Sequence, residues 1–279
     1  MNKTAHISFL SVVLSLALLP GLSSCSVKEN RLSCPSFIIV TLLPEGGYQA
    51  DEQVSCHIFD AEGIRVAGGT YPASDYLGED VWFSVKKDQD YTVTCVSGVE
   101  SMERRESQLL LPQDGESDRL WAFSKGVRVG DSDYGYNVTG RLSKAYADLT
   151  LRVVSPQDDY PFRFVVRTTT EGLSLVDLSA VTGEYRYYPV PTEEENTYST
   201  RICRQDDIRN IVLDIYRRSD ESYSDLLHTV PLGRDLLRAG YDPYTVDMED
   251  IVVDVTYAEG GLHFRIGDWE VVYEGELEI

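Results

Sequence analysis

Cys25 carries the most definite chemistry in the chain. Leu22-Ser23-Ser24-Cys25 follows a basic, apolar leader and forms the recognition box at which a bacterial lipoprotein precursor is lipidated and cut. Lys3 supplies the positive start, residues 7–19 form an almost unbroken apolar run, and Pro20-Gly21 breaks any helix ahead of the small residues Ser23 and Ser24. The run falls short of the roughly 20 apolar residues that a spanning helix needs. The expected product is a folded body held on a bilayer through lipid on the Cys25 thiol, each buried CH₂ adding roughly 0.8 kcal/mol of membrane affinity. Residues 1–24 are then a signal peptide and 25–33 a short polar tether.

Four cysteines remain: Cys34, Cys56, Cys95 and Cys203. Export past the inner membrane permits disulfides, and four thiols allow three complete pairings. There is no CxxC and no His at zinc-finger distance, so a metal cluster is not expected. Cys56 and Cys95 fall on strand positions that face a core, which makes them, with Cys34, the candidates for disulfide bonding. Cys203, alone in the second half, is expected to be a free thiol.

Catalytic constellations are sparse. His57, His228 and His263 each sit inside an apparent strand, and their alternation places them toward solvent. No GxSxG elbow, HExxH helix or Gly-rich nucleotide loop accompanies them, so neither enzymatic activity nor a cofactor is expected. Asp131-Ser132-Asp133-Tyr134-Gly135-Tyr136-Asn137 starts like a calcium loop. Its Gly is one residue early, and Leu142 stands where a bidentate Glu is required, so it reads as an interdomain loop without metal. Asn137-Val138-Thr139 fits the glycosylation pattern, a modification not expected in the bacterium that the leader implies. Tyr185, Tyr187 and Tyr188 could stack on a sugar, since Tyr185 and Tyr187 share one strand face. Packing against neighbours is the favoured reading for a residue type common in strands.

The elements that must position these residues are strands. The 279-residue chain has 46 Asp and Glu against 25 Lys and Arg, a formal net charge of −21, which repels phosphate backbones and excludes nucleic acid as an expected partner. The acids are dispersed; the longest run, Glu193-Glu194-Glu195, reads as a solvated loop. A hydrophobic content of 42% with 18 tyrosines argues against disorder and for β-structure. Short apolar segments bounded by turn residues predict strands at 36–43, 54–59, 64–67, 81–85, 91–96, 108–111, 120–123 and 127–129. After the 130–135 loop a second series is predicted at 147–154, 162–168, 185–188, 198–202, 211–216, 226–230, 251–257, 262–266 and 269–273. One short helix, 233–239, is closed by Gly240. Two strand sets with so little helix predict an all-β chain of two tandem β-sandwiches, 34–140 and 141–279.

Several segments resemble the FimB-type anchor and accessory subunits of Bacteroidales fimbriae, the fimbrillin-A associated anchor proteins. They are Cys25; Cys34-Pro35 before an apolar strand; Val54-Ser55-Cys56-His57-Ile58-Phe59-Asp60-Ala61-Glu62-Gly63 as a strand, Phe-Asp and Gly-containing turn; Tyr91 to Gly98; Arg141-Leu142-Ser143-Lys144; and Phe264-Arg265-Ile266-Gly267-Asp268-Trp269 as a closing strand pair. The order of these pieces, across most of the mature chain, carries the resemblance. Lys28-Glu29 beside Cys25 is similar to the signal that sends lipoproteins of Bacteroidetes to the outer face of the outer membrane. The resemblance implies two transthyretin-like sandwiches, a lipid anchor in the outer membrane, no enzyme activity, and attachment or termination of a fimbrial polymer. The implied partners are fimbrillin or other fimbrial subunits, bound through β-strand pairing. Sequence ends most readily supply edge strands, so 269–273 with its tail 274–279, and the first strand 36–43, are the candidate pairing segments. The alternative is a surface lipoprotein that captures a glycan or other nutrient.

Overall fold

A computed structural model describes residues 34–45, 52–77, 81–131, 134–154, 162–217, 225–258 and 261–274. Cys25 and the tether lie outside the described residues. The architecture is all-β, with four sheets and two short helices, α1 (Ala73–Leu77) and α2 (Leu232–Arg238). Among the described residues no helix is long and apolar enough to cross a membrane.

The first half builds two sheets. One has three strands in the order β4 (Trp82–Val85), β1 (Ser36–Leu42) and β9 (Gly135–Gly140). The other has five: β10 (Ser143–Lys144), β8 (Trp121–Val129), β5 (Gln89–Ser97), β2 (Gln53–Asp60) and β3 (Arg65–Pro72). β1 alternates strictly, with Ser36, Ile38, Val40 and Leu42 buried and the residues between them half-exposed. Its buried face meets Val54, Cys56 and Ile58 of β2 and Val93 and Cys95 of β5 in one core. Each such side chain contributes roughly 1.5–3 kcal/mol on leaving water.

The second half builds two six-stranded ladders. The first runs β14 (Val190–Pro191), β15 (Thr197–Cys203), β11 (Tyr146–Val154), β18 (Ile251–Ala258), β19 (Gly261–Ile266) and β20 (Trp269–Glu274). The second runs β17 (Leu226–Val230), β16 (Val212–Arg217), β12 (Phe162–Ser174), β7 (Gln108–Leu110) and β6 (Glu103–Arg105), with β13 (Ala180–Tyr187) on the other side of β12. Their facing residues, among them Leu149, Leu151, Phe164, Val166, Ile215 and Val253, form the larger core.

The β6–β7 hairpin comes from before residue 140 yet pairs with β12, so the chain crosses between the two halves around 100–120. Asp118 sets that crossing. Its carboxylate accepts from the amides of Glu100, Ser101 and Met102 at 2.7–3.1 Å and from the Ser101 hydroxyl at 2.6 Å. Burial works against the charged form, but the Ser101 hydroxyl and these amides outweigh it and hold the Asp118 pKa below its ordinary value. β7 then approaches β12 so closely that a Cβ on Gly172 would collide with the Leu109 carbonyl.

Three expectations fail here. The first concerns β1, which is not an edge: β4 pairs it antiparallel and β9 pairs it parallel. β9 occupies residues expected to be loop, because Gly-Tyr-Asn-Val-Thr-Gly buries only Val138 and reads as a turn until β1 supplies its ladder. Ser132 and Asp133 of the calcium-like segment lie outside the described residues, and no group of three or more potential metal ligands occurs among the described residues.

The second concerns His57, which is 1% exposed rather than solvent-facing. The five-stranded sheet has one face on the first core and the other, with Phe59 and Val96, on the second, so alternation along β2 separates two interiors. Both His57 ring nitrogens are buried without a hydrogen-bond partner among the described residues. Burial, then the charges of Arg104 and Arg65, pull its pKa down to about 4. His228 and His263 are both half-buried, the latter with Nδ1 3.4 Å from a Glu270 carboxylate oxygen. The third expectation, a one-residue helix shift aside, is the absence of helix before 233: Pro72 precedes α1, whose Tyr76 is buried and donates to the Val54 carbonyl at 3.1 Å.

Candidate interaction edges

A protein that recognises partners by strand addition needs an edge with free backbone groups and no device that blunts it. Most edges here are blunted. β3 carries a bulge opposite Ile58 and Phe59 and a left-handed Gly68. β14 is two residues long and ends in Pro191, and β6 is three charged, exposed residues. β17 has a register shift opposite Ile215 and Tyr216. β13 is eight residues long, but its pairing with β12 shifts register twice.

β20 differs. It pairs with β19 in unbroken register from Ile266↔Trp269 to Gly261↔Glu274, contains no Pro or Gly, and ends its ladder. The turn Gly267-Asp268 holds Gly267 at φ 57°, the first central position of a tight two-residue hairpin. Such a turn closes on a hydrogen-bonded pair, so Ile266 and Trp269 exchange bonds and the pattern then alternates. Trp269, Val271 and Tyr273 therefore spend their amides on β19, while Glu270, Val272 and Glu274 direct theirs outward. The expectation that 269–273 forms an edge agrees with this placement; residues 275–279 lie outside the described residues.

The tyrosines do not form an open platform. Tyr187 is fully buried, Tyr185 is half-buried, and their rings meet edge-to-face with centroids 4.7 Å apart. The Tyr185 hydroxyl donates to the Pro112 carbonyl and accepts from the Gly115 amide at 3.2 Å, pinning the 112–115 turn. The Tyr187 hydroxyl lies 3.4 Å from Cys203 Sγ, and burial pushes that thiol up to about 11.

All four described cysteines are free thiols, with Cys34 exposed and the other three buried. Cys56 and Cys95 stand directly opposite each other on β2 and β5. The Glu52 carbonyl accepts from Ala73 and the Asp60 amide donates to Ile64, so the even-numbered residues of β2 turn their backbone groups toward β3. Cys56 and Cys95 are thus a non-hydrogen-bonded pair, the closer of the two antiparallel spacings, with Cα atoms about 4.5 Å apart.

No protein-family model matches the chain, and no curated protein sequence matches it. Solved structures do. The fimbrial anchor protein Mfa2 from Porphyromonas gingivalis superposes with a TM-score of 0.66 at 13% identity, covering 86% of this chain and 99% of that one. A protein from Bacteroides thetaiotaomicron, provisionally named polysaccharide-binding, gives 0.62 at 13% identity over 87% and 99% of the two chains. A third, from Bacteroides ovatus and provisionally named an adhesin, gives 0.62 at 12% identity over 88% and 97%. At these identities the likeness shows a shared fold across nearly the whole of each chain.

Proposed function

We propose that this chain is a non-enzymatic accessory or anchor subunit of a surface fimbria, tethered to the outer membrane through lipid on Cys25 and joined to partner subunits by strand addition at β20. The observation that carries the reading is the unblunted β20 edge, paired on one side only among the described residues, on a fold shared with a fimbrial anchor protein. Main-chain hydrogen bonds would give affinity, and pockets for alternate side chains would give specificity. The leader before Cys25 supports the tether, Lys28-Glu29 supports the outer face, and the FimB-like order of segments supports the anchor role over other adhesive roles. A net charge of −21 argues against nucleic-acid partners.

A glycan- or nutrient-capturing lipoprotein is the second reading. It is favoured by a shared fold of equal extent with the protein named for polysaccharide binding. Deleting the gene separates the two: fimbriae released into the medium support the anchor, and intact fimbriae with lost growth on one polysaccharide overturn it. Cys25→Ser should move the protein from the detergent-extracted membrane fraction to the soluble fraction, and retention in the membrane would refute the tether.

A further inference from the structure

The outer face of the β13–β12–β16 sheet holds a concavity of about 460 Å³ whose lining includes Arg167, Arg186, Arg209 and Arg234. Four of the chain's 25 basic residues share one hollow on a molecule of net charge −21. Arg167 and Arg186 are direct cross-strand partners on β12 and β13, an arrangement of like charges that destabilises a ladder.

Compensation is incomplete. Asp214, 2% exposed, pairs with Arg167 through both carboxylate oxygens and also accepts from the Thr229 hydroxyl at 2.8 Å. Asp207 holds Arg209 bidentately at 2.8 and 2.9 Å. Arg186 and Arg234 are exposed and form no salt bridge with any described residue, and Glu184 is the one acid in the lining. Thr169 and Asn210 add a hydroxyl and an amide on the same rim.

We infer that this hollow binds an acidic saccharide, with Arg186 and Arg234 gripping a carboxylate or sulfate and Thr169 and Asn210 taking ring hydroxyls. A guanidinium fork matches either oxyanion bidentately. The charge of the whole molecule narrows the choice. Screening confines the attraction of the hollow to within about 8 Å at physiological salt, while a densely charged chain such as an acidic peptide or nucleic acid also meets the negative surface around it. A sugar places one oxyanion among neutral hydroxyls and avoids that repulsion. The volume falls in the usual range of small-ligand pockets, about 300–1,000 Å³. This site is independent of β20 and of the anchor reading.

Isothermal titration calorimetry on the folded mature chain tests it. The probes are a galactan oligosaccharide ending in a single galacturonate, the same oligosaccharide bearing a single sulfate, the neutral oligosaccharide of equal length and a poly-glutamate peptide. Binding of at least one anionic sugar, none of the neutral one, and a tenfold or greater loss in the Arg186→Ala/Arg234→Ala double variant are expected; the two anionic arms tell carboxylate from sulfate. Circular dichroism confirms that the variant is folded, and Arg186→Ala alone should raise Tm by relieving the like-charge pair. Absence of binding to both anionic sugars, equal binding to poly-glutamate, undiminished binding by the double variant, or a lower Tm for Arg186→Ala would each overturn the assignment.

Discussion

β1 and β20 lie at opposite ends of the described chain, and one is paired along both sides while the other is paired along one. Their sequences are alike, short and rich in β-branched residues, so the difference comes from what the rest of the chain brings to them. β9 returns about a hundred residues after β1 to lie parallel beside it, which requires a long crossover. β20 follows β19 through a two-residue turn, and nothing described follows it. A strand at the start of a chain is available as a partner for everything made later; the last strand finds only what remains. Order among the described strands therefore predicts edge character for β20 and not for β1.

The comparison breaks most visibly at Val40. Its amide donates to the Val81 carbonyl at 3.0 Å, its side chain is fully buried, and β9 holds its other side. Val40→Pro should remove a ladder bond and part of the core together, costing about 3 kcal/mol or more. Chemical denaturation should show loss of the first sandwich. A Val40→Pro protein with unchanged midpoint would mean that β1 behaves as an edge after all.

A smaller effect on the same sandwich concerns its paired thiols. Cys56 and Cys95 have the facing geometry and close Cα spacing that a disulfide needs. In an oxidising compartment the two thiols are expected to pass two electrons and two protons to the disulfide of an oxidoreductase, leaving one Cys56–Cys95 bond and a reduced dithiol on the catalyst. The Cys203 sulfur lies 3.4 Å from the Tyr187 hydroxyl and 3.7 Å from the Gln205 side-chain amide in the larger core, apart from the Cys56–Cys95 core, and should stay reduced. Mass mapping of unreduced peptides from exported protein should find the 56–95 bridge. Its reduction should lower stability by about 2–4 kcal/mol. A bridge to Cys34, or none, would refute the pairing.

The joint between the sandwiches should register acid. His57 has a folded pKa of about 4 against an unfolded value of 6.5, so the unfolded chain binds more protons between those values and stability falls as pH drops from 6.5 toward 4. The loss is at most about 3 kcal/mol and levels off below the folded pKa. His57→Leu should flatten this part of the stability–pH curve while carboxylates such as Asp118 still titrate lower. An unchanged slope would place the acid sensitivity elsewhere.

Much of this was legible in the residues, for reasons that differ by element. Alternating apolar segments such as 36–43, 91–96 and 147–154 became strands because burial of one face decides them locally. β6 and β9 were not legible, since Glu103-Arg104-Arg105 and the Gly-flanked 135–140 bury almost nothing and exist only through their partners. His57 was misplaced because alternation separates two faces without saying whether the second is wet. The arginine hollow was invisible for the same reason, as its members come from four stretches of sequence that only the register of β12 and β13 and the α2 corner bring together. Cys25 was the plainest signal of all, and it rests on the leader alone.

The finest test of the β1–β20 contrast lies within β20 itself, between neighbouring residues. The hairpin alternation gives the Val271 amide to β19 and turns the Val272 amide to the open side. Proline is tolerated on an edge strand where its missing N–H would have faced solvent. Val272→Pro should then leave the fold nearly intact, with Tm changed by a few degrees at most, yet abolish capture of fimbrial subunits in a pull-down. Val271→Pro should weaken the β19–β20 ladder as well, and Val272→Ala should bind almost normally, because backbone geometry carries most of a strand-addition interface. Should folded Val272→Pro protein capture its partners at the wild-type level, partner binding does not pass through the outward amides of β20. The surface of interaction would then have to be sought on another edge, β13 first, because at eight residues it equals β3 as the longest of those remaining and lacks the left-handed glycine of β3.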